Sequence, residues 1–307
     1  MNLWTFISTV ILSLSLTSSQ LYHLPTIILE QTQSGSKLSF KEQILDDSKK
    51  IPHKVDNKSL GVKISAQAAA VMDKDSGIIL WQKNAGEIRP IASISKLMTT
   101  LVFLEHNPGW NTEVTMEEVD EVNGGTRHIL RGETVIVKDL FYTSLIASDN
   151  NSINALVRST GLSRQEFVNL MNKKAASLGM KNTKFSELTG LSEQNVSTAL
   201  EVLTLAKTAF AKADIKNAVS QKDYNFFDKS GKAHHIKSTN LLFNSYLDVL
   251  AGKTGYIGAS GYCLVLEIAG NDGQNIFGVV LGSESHDGRF QDLKILSGWI
   301  LDNFVWS

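Results

Sequence analysis

The stretch Arg89-Pro90-Ile91-Ala92-Ser93-Ile94-Ser95-Lys96-Leu97-Met98-Thr99 decides how this chain is read. After Arg89-Pro90 the texture changes from a strand-and-loop segment to an apolar helix, expected over residues 95–105. The i, i+3 spacing of Ser93 and Lys96 puts both on one helical face, where a hydroxyl and an amine share a proton. A serine hydroxyl is a weak nucleophile until a base takes its proton. Lysine serves as that base only if burial or a second cation keeps it partly neutral. The helix N-terminus adds backbone N–H groups and a positive dipole end, which favour a developing oxyanion. Ser-x-x-Lys is a short pattern that recurs by chance, and Ser34-Gly35-Ser36-Lys37 has the same spacing. That second copy lies in polar sequence, where its lysine stays hydrated and protonated, so only Ser93 opens an apolar helix.

Two further motifs follow. Ser148-Asp149-Asn150 comes after the apolar run 140–147, where a helix ends and polar side chains project into a cleft. It also reads as a plain C-terminal turn with an N-cap for the next helix. Ser-x-Asn recurs at Ser152-Ile153-Asn154 and Ser238-Thr239-Asn240, so position has to decide. Lys253-Thr254-Gly255 has one rival, Lys229-Ser230-Gly231, which sits in Asp-Lys-Ser-Gly-Lys and reads as an exposed hairpin turn. Around Lys253 the flanks are apolar, so Lys253 and Thr254 line a strand edge, and Gly255 leaves room for a substrate backbone. A strand edge binds peptide by accepting it as a further strand.

Outward from these motifs, residues 67–72 and 78–81 form two strands around the turn 73–77. Helical patterns cover 95–105, 137–147, 152–158, 163–178 and 197–211. Strands return at 224–227, 235–238, 249–253, 262–268 and 276–281, before a closing helix over 288–304. Strands at both ends with helices between them imply an α+β fold: one antiparallel sheet from sequence-distant strands, with a helical cluster packed on it. Residues 1–20 hold no charged side chain and read as an export signal or a membrane anchor, residues 21–61 as a polar tether, and residues 62–307 as the functional domain.

With 42% hydrophobic and 20% charged residues the chain buries a full core. Thirty basic against 31 acidic residues give a net charge of -1, which argues against nucleic acid as a partner. The lone Cys263 excludes an internal disulfide and reads as a small apolar residue on a buried strand. His234 and His235 are adjacent and point to opposite faces of a strand, while His128 and His286 are isolated. No metal and no cofactor are expected.

Taken in order, Ser93-x-x-Lys96, Ser148-Asp149-Asn150 and Lys253-Thr254-Gly255 form the set that marks penicillin-binding proteins and class A β-lactamases. From about Ala68 onward the chain resembles the low-molecular-mass D-Ala-D-Ala carboxypeptidase and endopeptidase family. The resemblance is carried also by Lys184-Phe185, Thr189-Gly190-Leu191, Ser197-Thr198-Ala199, Ser238-Thr239-Asn240-Leu241-Leu242 and Gly261-Tyr262-Cys263-Leu264-Val265. It implies a β-lactamase/transpeptidase-like fold and a cell-envelope peptidase acting on peptidoglycan stem peptides, with β-lactams as covalent inhibitors. Ser93 is then the acyl-ester nucleophile, Lys96 its base and Ser148 a proton relay toward the leaving group. Asn150, Lys253 and Thr254 hold the peptide amide and terminal carboxylate, and the N–H groups of Ser93 and Tyr256 form the oxyanion hole. The cation of Lys253 also disfavours protonation of Lys96. Ile257 stands where many relatives have a hydroxyl, and Asp149 where many have a small residue. The short chain after Lys253 looks like the single-domain endopeptidase type. No glutamate between Asn150 and Lys253 starts the Glu-x-x-Leu-Asn pattern of a deacylating lactamase, which disfavours that activity. An inactive peptidoglycan-binding module is disfavoured because every side chain the chemistry needs is present.

Overall fold

The computed structural model describes residues 27–32, 39–44, 51–56, 58–270 and 273–307. The chain divides into two compact units, Met1–Lys49 and Lys50–Ser307. In the first, Ile27–Thr32 pairs antiparallel with Ser39–Ile44, so paired strands stand within the segment whose polar composition suggests a tether. The apolar run near the N-terminus and the copy of the motif at Ser34 lie outside the described residues. Among the described residues no helix is long and apolar enough to cross a membrane.

The second unit is built on a five-stranded antiparallel sheet. Its strands are β1 (Ala68–Asp73), β2 (Ile79–Lys83), β3 (Asp248–Ile257), β4 (Gly261–Ala269) and β5 (Asn275–Ser283), in the spatial order β3-β4-β5-β1-β2. Side chains alternate across the sheet, and here both faces are covered. Ala68, Ala70 and Met72 of β1, with Phe277, Val279 and Leu281 of β5, enter one core, while Ala69, Val71, Ile276 and Val280 enter the other. That double burial is why these strands are apolar throughout and why all six residues of β1 are buried.

The first core is shared with α1 (Lys96–Leu104), α2 (Val137–Ile146), α3 (Asn150–Arg158), α4 (Arg164–Ser177), α5 (Ala199–Phe210) and α6 (Ala213–Val219). The second is closed by α7 (Gly288–Asn303) through Leu293, Leu296 and Ile300. The helical cluster therefore occupies one face only, and the closing helix takes the other. Two helix starts are explained by capping: Ser163 and Glu166 form a capping box at α4, and the Thr198 hydroxyl accepts from the Glu201 N–H at α5. Periodicity starts α3 at Ser152, but the helix begins at Asn150. Asp149 is its N-cap, accepting from the Ser152 N–H at 2.7 Å. Strands 224–227 and 235–238 exist as a separate hairpin, Asp223–Phe227 with Ala233–Lys237, and Lys229-Ser230 sit in its turn.

The second unit also begins earlier than apolar patterning suggests. Pro52–Lys54 pairs with the C-terminal strand Phe304–Trp306, and Trp299 Nε1 donates to Ser59 Oγ at 2.8 Å. Backbone pairing and indole bonds leave no apolar period to read. Asp292 on α7 does comparable work beside the sheet: it accepts from the Ser65 N–H at 2.7 Å, Ser65 Oγ at 2.8 Å, the Ala66 N–H at 2.9 Å and Ser283 Oγ at 2.7 Å. Replacing this buried carboxylate by Asp292→Ala strands those donors and is expected to cost about 3 kcal/mol of unfolding free energy in a urea titration; a loss below about 1 kcal/mol would show that the bonds are dispensable.

Candidate active site

Ser93 lies in a short 3-10 turn, Ala92–Ser95, that runs directly into α1, so the nucleophile stands just outside the helix and the lysine at its first position. Lys96 is fully buried, yet its amine sits 3.0 Å from Ser93 Oγ and 2.7 Å from both Asn150 Oδ1 and the Thr189 carbonyl oxygen. Burial lowers its pKa to about 7, against the opposing pull of Glu187 and Asp149. A neutral amine has two N–H groups and one lone pair. The two carbonyl oxygens only accept and use both N–H groups, so the lone pair is left for the Ser93 hydroxyl. The three contacts aim the amine at the Ser93 hydroxyl, and burial favours its neutral form.

Those carbonyls are themselves fixed. Asn150 Nδ2 donates to the Gly124 carbonyl at 2.9 Å, which orients the amide and engages both of its ends. Holding a substrate amide through this group means exchanging that bond. Glu187 accepts from the Thr189 N–H at 2.7 Å and the Thr189 hydroxyl at 2.6 Å, and from Asn195 Nδ2 at 3.0 Å. Gly190 (φ +88) lies so close to the nucleophile turn that a Cβ would meet the Ala92 carbonyl oxygen at 2.0 Å. Ala92 and Ser148 have positive φ of 47 and 61, so two of the four non-glycine residues with positive φ among the described residues stand before the nucleophile and at the second motif.

The second motif meets the third across the cleft. Lys253 Nζ donates to Ser148 Oγ at 2.7 Å and to the Thr254 carbonyl at 2.9 Å, while the hydroxyls of Thr254 and Thr239 lie 2.6 Å apart. Burial pushes the Lys253 amine well below its ordinary value, and Lys96 and Arg289 add to the shift. Burial is the first cause at both amines, and like-charge repulsion between Lys96 and Lys253 acts on the pair. Arg289 Nη1 donates to the Gly255 carbonyl at 3.2 Å, bringing its guanidinium to this edge.

Gly255 also differs from expectation. A Cβ there would meet the Ile91 carbonyl oxygen at 3.0 Å and the Ser93 nitrogen at 3.1 Å, so its missing side chain admits the nucleophile turn rather than a substrate backbone. Tyr256 follows on β3, 52% exposed and stacked on Tyr262 with ring centroids 4.2 Å apart. Ile257 carries no hydroxyl, and Ser260 Oγ accepts from its N–H at 3.1 Å.

Asp149 turns away from the cleft and is buried. Its Oδ2 accepts from the His128 N–H at 2.9 Å and from His128 Nδ1 at 3.0 Å. Burial raises its pKa, but these bonds and the one from Ser152 outweigh that and hold the carboxyl below its ordinary range. Cys263 is buried, and burial pushes its thiol up, as a structural residue requires.

All three motifs thus converge. Their supports Gly124, Glu187, Thr189, Gly190, Thr239 and Arg289 are not candidates from spacing alone. Thr189-Gly190 and Thr239 fall within stretches that carry the family resemblance, whereas Arg289 stands in no motif.

Comparison with known proteins agrees with this geometry. The family model for peptidase S11, described as D-alanyl-D-alanine carboxypeptidase, matches residues 53–285. A D-alanyl-D-alanine endopeptidase of Haemophilus influenzae is 36% identical over 203 residues, 65% of this chain and 69% of the relative. The D-alanyl-D-alanine carboxypeptidase DacF of Bacillus subtilis is 32% identical over 205 residues, 65% of this chain and 53% of the relative. The crystal structure of the Streptomyces K15 DD-transpeptidase superposes with a TM-score of 0.75 at 26% identity, covering 80% of this chain and 100% of that one. The chain belongs to the peptidase S11 family, the D-alanyl-D-alanine carboxypeptidases.

Proposed function

We propose that this protein is a serine-type D-Ala-D-Ala carboxypeptidase that trims peptidoglycan stem peptides through an acyl-enzyme on Ser93. The observation that carries this reading is the Ser93 hydroxyl, 3.0 Å from a buried amine whose pKa is about 7. Ser93 Oγ attacks the carbonyl of the penultimate D-Ala as its proton passes to Lys96. The ammonium so formed has three N–H groups for Asn150, Thr189 and the ester oxygen. The backbone N–H groups of Ser93 and Tyr256 hold the oxyanion. Lys253 donates to Ser148 Oγ, which leaves the Ser148 O–H free to pass a proton to the departing D-Ala nitrogen as the C–N bond breaks, while Ser148 Oγ takes back the proton that Lys96 removed from Ser93 and Lys96 returns to its neutral form. Water then cleaves the ester. Lys253, Thr254 and Arg289 gather hydrogen-bond donors at one sheet edge, and an entering terminal carboxylate favours the charged form of Lys253, while the carboxylate of Asp149 faces His128 and does not oppose it. A β-lactam acylates Ser93 by the same attack and stays attached. This chemistry belongs in the cell envelope, so residues 1–20 serve as an export signal or anchor, and the domain takes neither nucleic acid nor a cofactor.

A second reading, D,D-endopeptidase cleavage of peptide cross-links, is favoured by the 36% identity to the Haemophilus endopeptidase. Incubation with a pentapeptide muropeptide and with a cross-linked dimer separates the two. Release of D-Ala from the monomer supports the first reading, and loss of the dimer alone supports the second.

Fluorescent penicillin should label the intact protein, and Ser93→Ala should abolish the label; label retained on Ser93→Ala would place the nucleophile elsewhere. Lys96→Ala should slow acylation by about 10²–10⁴-fold. Because Lys96 acts in its neutral form, the acylation rate should rise with pH and level off above about 7. A rate that is flat from about pH 5.5 to 8.5 would rule out Lys96 as the base.

A further inference from the structure

Away from the catalytic cleft, the fold brings a glutamate to two side chains of metal-binding type on a hairpin distant in sequence. Glu133 precedes a short strand, Thr134–Ile136, and Asp228 and His234 flank the turn of the hairpin Asp223–Phe227 with Ala233–Lys237. One ligand atom from each lies within 4.8 Å of the other two. We propose that Glu133, Asp228 and His234 bind a divalent cation of the zinc class.

The histidine carries the case. Its side chain is 4% exposed and stacks on Phe226 with centroids 4.7 Å apart, so the ring is held in place. Nδ1 lies 3.2 Å from the His128 carbonyl oxygen, which only accepts, so Nδ1 bears the hydrogen. In the neutral ring Nε2 then carries a bare lone pair. That atom is buried without a hydrogen-bond partner and faces Glu133 Oε2 at 3.4 Å. A neutral imidazole oriented by a carbonyl on its other nitrogen is the arrangement a metal-bound histidine adopts. A buried nitrogen with no partner is otherwise costly.

The carboxylates suit the same ion. Asp228 Oδ1 is occupied by the Ser230 N–H and hydroxyl and by the Lys232 N–H, which fixes the group and leaves Oδ2 for the cation. Glu133 Oε2 accepts from the Leu130 N–H at 2.9 Å, and Glu133 Oε1 pairs with Lys232, whose charge works against the cation and has to give way. One imidazole nitrogen with two carboxylate oxygens fits zinc, with water completing four-coordination. Adjacent histidines at 234 and 235 argue against a metal in the sequence, but the set assembled here needs only one of them.

Such an ion clips the hairpin turn to the loop ahead of Thr134. That loop supplies the carbonyl of Gly124 to Asn150 and the N–H of His128 to Asp149, so the clip is one step from the second catalytic motif. It acts on stability and not on bond cleavage.

The test uses the full chain, stripped with a chelator and titrated with zinc by calorimetry and by thermal unfolding. One zinc per chain and a zinc-dependent rise in Tm are expected. Glu133→Gln and His234→Gln, with penicillin labelling at Ser93 confirming the fold, should weaken binding by at least about tenfold. Absence of zinc binding by the parent protein, or equal binding by both variants, would overturn the site. If the variants take no label, cobalt in the parent protein decides: intense four-coordinate absorption displaced by one equivalent of zinc supports the site, and its absence overturns it.

Discussion

A lysine amine buried to zero exposure beside a serine hydroxyl is the constraint on which the rest of this structure depends. Water would keep that amine protonated and useless as a base, so the fold removes water, which favours the neutral form, and leaves bonds that orient the amine. Two carbonyl oxygens, from Asn150 and Thr189, take its N–H groups and direct the lone pair at Ser93. Each of those carbonyls then needs its own support. Glu187 secures the Thr189 loop, and Gly124 anchors the far end of the Asn150 amide. Gly190 and Gly255 lack side chains because the nucleophile turn occupies the space from both sides. Positive φ at Ala92 and Ser148 is the conformational cost of aiming two hydroxyls into one cleft, and a packed core on each side of the sheet holds it in place.

The opposite wall follows a related logic. Lys253 is also buried on a sheet edge, and Arg289 reaches the same strand from α7. Cations packed this closely disfavour one another's charge, so the cleft is prepared for an anion. A carboxylate entering here relieves the repulsion, and bonds of this kind strengthen as water leaves. Asp149 shows how the fold avoids the opposite error. A carboxylate inside the second motif would repel the substrate, but His128 and the start of α3 take all of its described bonds, turning a hazard into a helix cap.

Much of this was legible in the order of residues. The sheet strands are apolar runs between turn residues, and the helices show apolar periods with Ser or Thr at several starts. The three motifs stand out because their flanks differ from those of their chance copies. What stayed hidden has physical reasons. Pro52–Lys54 is held to the C-terminal strand by backbone bonds, which carry no side-chain signature. Glu187 acts by local hydrogen bonding in a loop, and Thr239 by a bond to a strand distant in sequence, where composition says little. Arg289 is one arginine on a helix of mixed character, and only the packing of α7 on the sheet brings it to Gly255. Gly255 itself was legible as a position needing space, but which group fills that space is a tertiary fact. The Glu133, Asp228 and His234 cluster is likewise invisible, because Glu133 is far in the chain from the hairpin that holds the other two.

The central claim is that burial brings the Lys96 amine to a pKa of about 7, so that a neutral base is available near neutral pH. Carbon-13 NMR of the protein labelled at the lysine ε-carbons, with Lys96 assigned through Lys96→Arg, reads its titration directly. A midpoint of about 7 is expected, and a midpoint near the ordinary 10.5 would contradict the account.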